Sequence, residues 1–169
     1  MSDIREIGKD ETELAGPALL ELRPRWETTS RLTEFIDAEL RPAGYRLVGI
    51  FEPGSPTALS VAGFRESHST AWGHHLFIDD VSTLPVARGR GHADSLLDWL
   101  TAEARRLNCT AIHLDSGVGP TRAAAHRLYM RHHLTITAHH FTLELGARSG
   151  SSSACRQRGI IATALATNR

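Results

Sequence analysis

Arg88-Gly89-Arg90-Gly91-His92-Ala93 is the stretch of this 169-residue chain whose residue types point most directly to chemistry. Two glycines flank an arginine. Glycine accepts positive φ and lets another group approach the backbone closely. A helix starting here would present unpaired N–H groups and a partial positive charge. Together these make an anion site, most often one for phosphate. Many short Gly/Arg turns bind nothing, so the turn alone does not decide the matter. Two other nucleotide loops do not fit. A Walker loop ends in Gly-Lys-Ser/Thr, and the sole lysine is Lys9; a dinucleotide fingerprint needs a third glycine where Asp94-Ser95 stand. Asp79 and Asp80 lie nine and eight residues before Arg88. Neighbours on a strand face opposite sides, so one of the two is expected in a cleft. Ten histidines include the pairs His74-His75, His132-His133 and His139-His140. None has the spacing of a dedicated zinc site, so no metal is expected. Histidine is a natural base near neutral pH, and His139 or His140 could reach a cleft, but each reads as readily as an ordinary structural histidine. His113, on a short apolar strand, reads as core.

Around the turn, residues 76–84 read as a strand. Ala93, Leu96, Leu97, Leu100, Ala104 and Leu107 after it fall on one helical face. Thr110-Ala111-Ile112-His113-Leu114 reads as a further strand. Strand, long helix and strand make a crossover, so the two strands should be parallel. Before the turn, residues 45–51, 59–64 and 76–84 form a three-stranded antiparallel meander with turn chemistry at Glu52-Pro53-Gly54-Ser55-Pro56. Ile4–Ile7 is a short first strand, residues 11–22 a helix, and Thr29 or Ser30 caps a second helix carrying Leu32, Phe35, Ile36 and Leu40. Thr121 can cap a helix running to about Arg131. Residues 134–137 and 141–145 alternate as strands.

The length suits one domain with a real core. The apolar share is 41%, the charged share 22% and the formal net charge zero, which gives no overall attraction to nucleic acid or acidic membrane. No apolar run approaches a membrane span, and residues 1–6 carry no signal-peptide core. Two cysteines fit a reducing cytoplasm better than a disulfide framework. Residues 146–169 hold four arginines and no acid, and Ser149–Ser153 is linker-like, so a disordered tail is expected, with residues 160–165 as an optional strand.

Arg-x-x-Gly-x-Ala at 88–93 resembles the acyl-CoA pyrophosphate loop of the GNAT (Gcn5-related) N-acetyltransferases, whose pattern is Gln/Arg-x-x-Gly-x-Gly/Ala. Ala125-His126-Arg127-Leu128-Tyr129 resembles the Ala-x-x-x-Tyr of the helix after that family's crossover. The order of elements over residues 74–145 agrees, and residues 1–73 supply the family's early strand, helix pair and hairpin. The resemblance implies an α/β (α+β) GNAT domain over residues 1–145. Its mixed central sheet would have about six to seven strands, an antiparallel meander followed by a parallel βαβ crossover, flanked by about four helices.

It also implies a reaction: acetyl transfer from acetyl-CoA to a primary amine by direct attack in a ternary complex. Arg88, Gly89, Arg90, Gly91, His92 and Ala93 would hold the pyrophosphate. Main-chain groups of Val81, Ser82 and Thr83 would pair with pantetheine. Tyr129 would protonate the departing thiolate, unless it merely packs against the sheet. An acidic pair at this offset serves the acceptor amine in spermidine/spermine acetyltransferases, which favours Asp79 as base or ammonium anchor, with Asp80 beside it. Trp26, in a segment the family places over the acceptor pocket, and His139 are further substrate-binding candidates; Trp26 reads equally well as a buried residue of a helix linker. The acidic pair favours a small cationic acceptor. A protein lysine or N-terminal acetyltransferase and a non-catalytic acyl-CoA sensor are the alternatives. Two positions depart from the family: Arg122 stands where an asparagine often contacts CoA, and His133-Leu134 where Gly-Phe is usual. The short last strands suggest that a second copy, in a homodimer, completes part of the acceptor site.

Overall fold

The structure is a computed structural model that describes residues 2–146. Runs rich in β-branched and apolar residues form five strands, β1 (Asp3–Ile7), β2 (Tyr45–Phe51), β3 (Ser60–Ser69), β4 (Gly73–Thr83) and β5 (Ala111–Leu114), joined in that order in one sheet. The first four are antiparallel, and β5 lies parallel to β4, as the crossover predicts. Four α-helices accompany them: α1 (Gly16–Leu22), α2 (Thr29–Phe35), α3 (His92–Arg106) and α4 (Ala123–Arg131).

Strand alternation divides the core between the two faces of the sheet. Val48, Ile50, Ala62, Phe64, Leu76 and Ile78 pack with Leu96, Leu97 and Leu100 of α3 and with Leu128 and Tyr129 of α4. Tyr45, Leu47 and Val61 point the other way, to Ala18, Leu19 and Leu32 of α1 and α2. Each of the three buried leucines of α3 stabilises the fold by roughly 1.5–3 kcal/mol through removal from water.

Several local expectations are corrected. Residues 11–22 are not one helix: a 3₁₀ segment (Lys9–Ala15) precedes α1, because Pro17 lacks an N–H and so starts a helix rather than continuing one. Thr28, not Thr29 or Ser30, caps α2, its hydroxyl accepting from Arg31 N–H at 3.3 Å. A 3₁₀ turn (Pro120–Arg122) leads into α4, which has no side-chain cap from Thr121. Residues 134–137 and 141–145 are not strands, so the described sheet has five strands instead of six or seven. Alternation marks a segment able to pair; a strand also needs a ladder partner.

Residues up to Thr135 form one compact unit, and a second begins at Ile136. In the second, Phe141, Leu143 and Leu145 are exposed. Apart from Gly146, the expected tail and its optional strand lie outside the described residues. Among the described residues no helix is long and apolar enough to cross a membrane.

Candidate active site

β4 and β5 pair from His75↔Ala111 to Ile78↔Leu114 and no further. β4 continues to Thr83, while β5 ends and the chain leaves through Asp115-Ser116-Gly117. From Asp79 onward, β4 therefore has main-chain groups with no β5 ladder partner. A cavity of about 280 Å³ fills the opening, with Asp79, Asp80 and Val81 on one wall, Leu114–Gly117 on the other, Tyr129 and Arg122 behind, and Leu22 and Arg23 at the α1 end. Ser82 and Thr83 stay paired to β3 on their other side, and the Ser82 carbonyl also accepts from the Ser60 hydroxyl at 3.0 Å.

The acidic pair is not disposed as alternation predicts. Register slips between β3 and β4: Gly63 faces Asp80 and Phe64 faces Ile78, so Asp79 is the extra residue of a β-bulge. A bulge re-aims the side chains that follow it. Asp80 then shares a face with Gly63 and Tyr45, and both carboxylates meet groups of the α1/α2 side. The Tyr45 hydroxyl donates to Asp80 Oδ2 at 2.8 Å. It reaches there through the space a side chain at position 63 would fill, since a Cβ on Gly63 would lie 1.8 Å from it. Arg23 donates to Asp80 Oδ1 through Nε at 2.8 Å and lies 2.7 Å away through Nη2. Arg65, directly across from Tyr45, holds Asp79 with both Nε and Nη2 at 2.8 and 2.5 Å. Burial raises the Asp79 carboxyl above its usual range, although Arg65 opposes the shift. Burial, with Asp80 beside it, drives the Tyr45 phenol well above its ordinary value, so Tyr45 stays a donor.

Tyr129 is a buried residue of α4 on the cavity wall. Burial raises its phenol, and the neighbouring Arg122 guanidinium pulls it back down through charge and hydrogen bonding. Beyond β4, Gly89 and Gly91 both have positive φ, at 74° and 81°, and Gly91 is the N-cap of α3. The first amide to bond back is Ser95 N–H to the Gly91 carbonyl, so the amides before it are the orphans of the helix start. Arg88 reaches Glu21 at 2.8 Å, and Arg90 reaches Glu52 at 2.6 Å. His92 is buried with Nε2 3.1 Å from Glu52, off hydrogen-bond geometry. Backbone donors and basic side chains thus gather at this turn, as phosphate binding requires.

Other expected residues lie elsewhere. Trp26 is outside the cavity lining, packed on Phe35 with ring centroids 4.5 Å apart, while Arg23 at the start of the same segment and Leu22 at the end of α1 do line it. His139 is exposed and belongs to the second unit. His113 stacks on Trp72 at 4.2 Å, and burial lowers its pKa. Among the described residues no three His, Cys, Asp or Glu are arranged to hold a metal. Arg23, Arg65 and Tyr45 were not singled out as site residues from the sequence. The one available signal was Gly63 in an otherwise apolar strand, since such a glycine marks a bulge or a close approach.

The fold of this chain is shared with known proteins. The profile of the Acetyltransferase (GNAT) family matches residues 9–134, and the chain belongs to that family. The uncharacterized N-acetyltransferase YhdJ of Bacillus subtilis strain 168 is 30% identical over 121 residues, which cover 72% of this chain and 82% of YhdJ. The solved ribosomal-protein-alanine N-acetyltransferase of Brucella melitensis biovar Abortus 2308 superposes with a TM-score of 0.71 at 16% identity, over 86% of this chain and 100% of that one. The aminoglycoside N-acetyltransferase AAC(6')-Iy, solved in complex with CoA, gives 0.69 at 17% identity, over 86% and 95%. At these identities the two structures share the fold.

Proposed function

We propose that the chain transfers an acetyl group from acetyl-CoA to a small primary amine by direct attack in a ternary complex. The observation that carries this reading is the opening between β4 and β5, with a carboxylate pair at one end and a buried tyrosine beside an arginine at the other. The amides of Gly89–Ala93 bind the pyrophosphate. The β5-side main-chain groups of Val81–Thr83 hold the pantetheine arm, and one N–H stabilises the oxyanion as nitrogen attacks the thioester carbon. Collapse of that intermediate breaks the C–S bond, and the Tyr129 O–H gives its proton to the departing thiolate.

Alkyl ammonium groups titrate near 10.4 and carboxylates in general near 4, a gap costing about 9 kcal/mol. The carboxylate therefore orients the ammonium while one proton leaves through water to solvent; the free amine so formed attacks, and the carboxylate relays the second proton that nitrogen loses once the C–N bond has formed. The expectation favoured Asp79. Both carboxylates have both oxygens engaged, but Asp80 is favoured because its arginine, Arg23, is 46% exposed and free to move, whereas Arg65 grips Asp79 through two nitrogens and is 30% exposed. Thiol detection with an amine panel tests the reaction. Acetyl-CoA binding with no CoA release for any amine would leave an acyl-CoA-binding module instead.

A further inference from the structure

We infer that Arg23 is a specificity residue of the acceptor site, and that the site takes amines carrying a carboxylate beside the reacting nitrogen, the amino-acid class. This rests on the acetyl-transfer reading above.

Arg23 closes α1 and precedes the Pro24–Trp26 turn. Its side chain is 46% exposed, whereas that of Asp80 is 12% exposed. Both Nε and Nη2 engage Asp80 Oδ1, and Nη2 also donates to the Asp79 carbonyl at 3.1 Å. The guanidinium thus sits on the oxygen an incoming ammonium needs. The other oxygen is taken by Tyr45, which is buried and cannot withdraw. An ammonium approaching Asp80 Oδ1 therefore competes with Arg23, and one using the remaining acceptor site of Oδ2 arrives beside it.

A guanidinium loosened from Asp80 gains more from a new anion than from water. Glu21 is engaged by Arg88, and Glu27 by Arg31. A carboxylate on the substrate supplies that anion, in the planar fork geometry arginine favours. Since Arg23 and Asp80 are in direct contact, the substrate's ammonium and carboxylate must also be close, separated by one or two carbons. Charge in the cavity gives no pull on a polycation: the carboxylates of Asp79, Asp80 and Asp115 are matched by Arg23 and Arg122 in the lining and by Arg65 on Asp79. This narrows the small cationic acceptor expected from the acidic pair to a zwitterion.

The test compares each α-amino acid with its own carboxamide, by calorimetry on the CoA-loaded protein and by CoA release with acetyl-CoA. At least one amino acid should exceed its carboxamide about tenfold or more in affinity and in kcat/KM, the scale of one charge-assisted pair. Arg23→Ala should raise KM for the amino acid by about that factor, lower or hold KM for the carboxamide, and leave acetyl-CoA affinity little changed. Arg23→Lys should retain part of the preference. Equal loss for acid and amide in Arg23→Ala, or a wild-type preference for polyamines, overturns the inference. Preferential binding without CoA release would sink the acetyl-transfer reading and keep the Arg23 assignment. CoA release without preference would do the reverse.

Discussion

At the level of single residues, the proposed acid Tyr129 is coupled to Arg122. A phenol can protonate a thiolate if it is near, protonated and not too weak an acid. Burial keeps Tyr129 protonated, and Arg122 offsets part of that upward shift. Tyr129→Phe keeps the ring and removes the proton, so turnover should fall roughly 10²–10⁴-fold with acetyl-CoA binding preserved. Near-normal turnover would assign Tyr129 to packing. If Tyr129 is the acid, activity needs the protonated phenol and should fall as pH rises through the Tyr129 pKa. Arg122→Met removes the charge that lowers that pKa; the alkaline limb should move to higher pH and the maximal rate should drop. A limb that stays in place would separate Arg122 from the acid. On the acceptor side, Asp80→Asn should lower kcat/KM for the amine more than Asp79→Asn, with acetyl-CoA affinity near normal in both. The reverse order would restore Asp79 as the acceptor-side group.

The elements explain why the sequence showed the glycine turn and not the carboxylate cluster. The turn and α3 are local: two glycines, a helix face of leucines and a preceding strand lie within about thirty residues, and each obeys its own period. Gly91 at φ 81° then does what the motif needs. Gly91→Asp adds strain and a negative charge at the helix start, so acetyl-CoA affinity should fall severely while the melt stays cooperative, as calorimetry and circular dichroism would show. The carboxylate cluster is non-local. Tyr45, Gly63, Asp80 and Arg23 come from three strands and a helix end, and only the bulge brings both aspartates to one face. Alternation assumes an unbroken ladder, and one extra residue reverses everything after it. Residues 134–145 erred differently, because a strand pattern says nothing of what it pairs with. Gly63→Ala is the sharpest check on the bulge: its Cβ would meet the Tyr45 hydroxyl at 1.8 Å, so amine KM should rise even though no catalytic group is altered. An unchanged KM would mean that Tyr45 does not hold Asp80.

Across the whole molecule, a zero net charge conceals a dense arginine–carboxylate network that fastens layers together. Glu103 of α3 is its most buried acid, 7% exposed and held by Arg46 of β2 at 2.6 Å and by Arg106 at 2.6 Å. Arg46 also grips Glu6 of β1 and lies over the Phe64 ring at 4.8 Å, so one guanidinium joins two strands to a helix. Arg106, with Arg46 assisting, holds the Glu103 carboxyl at about 2, against an ordinary value of 4.5. A group whose folded pKa is depressed stabilises the native state fully above its unfolded pKa and loses that contribution as pH falls towards the folded value. The melting temperature should therefore decline between about pH 4.5 and pH 2. Glu103→Gln should cost about 1–3 kcal/mol at neutral pH, because Arg46 loses a charged partner while keeping Glu6. It should also flatten the decline, since glutamine has no proton to gain. Thermal melts of both proteins across that range decide the matter: parallel curves would show that Glu103 is not the acid-sensitive tie between α3 and the sheet.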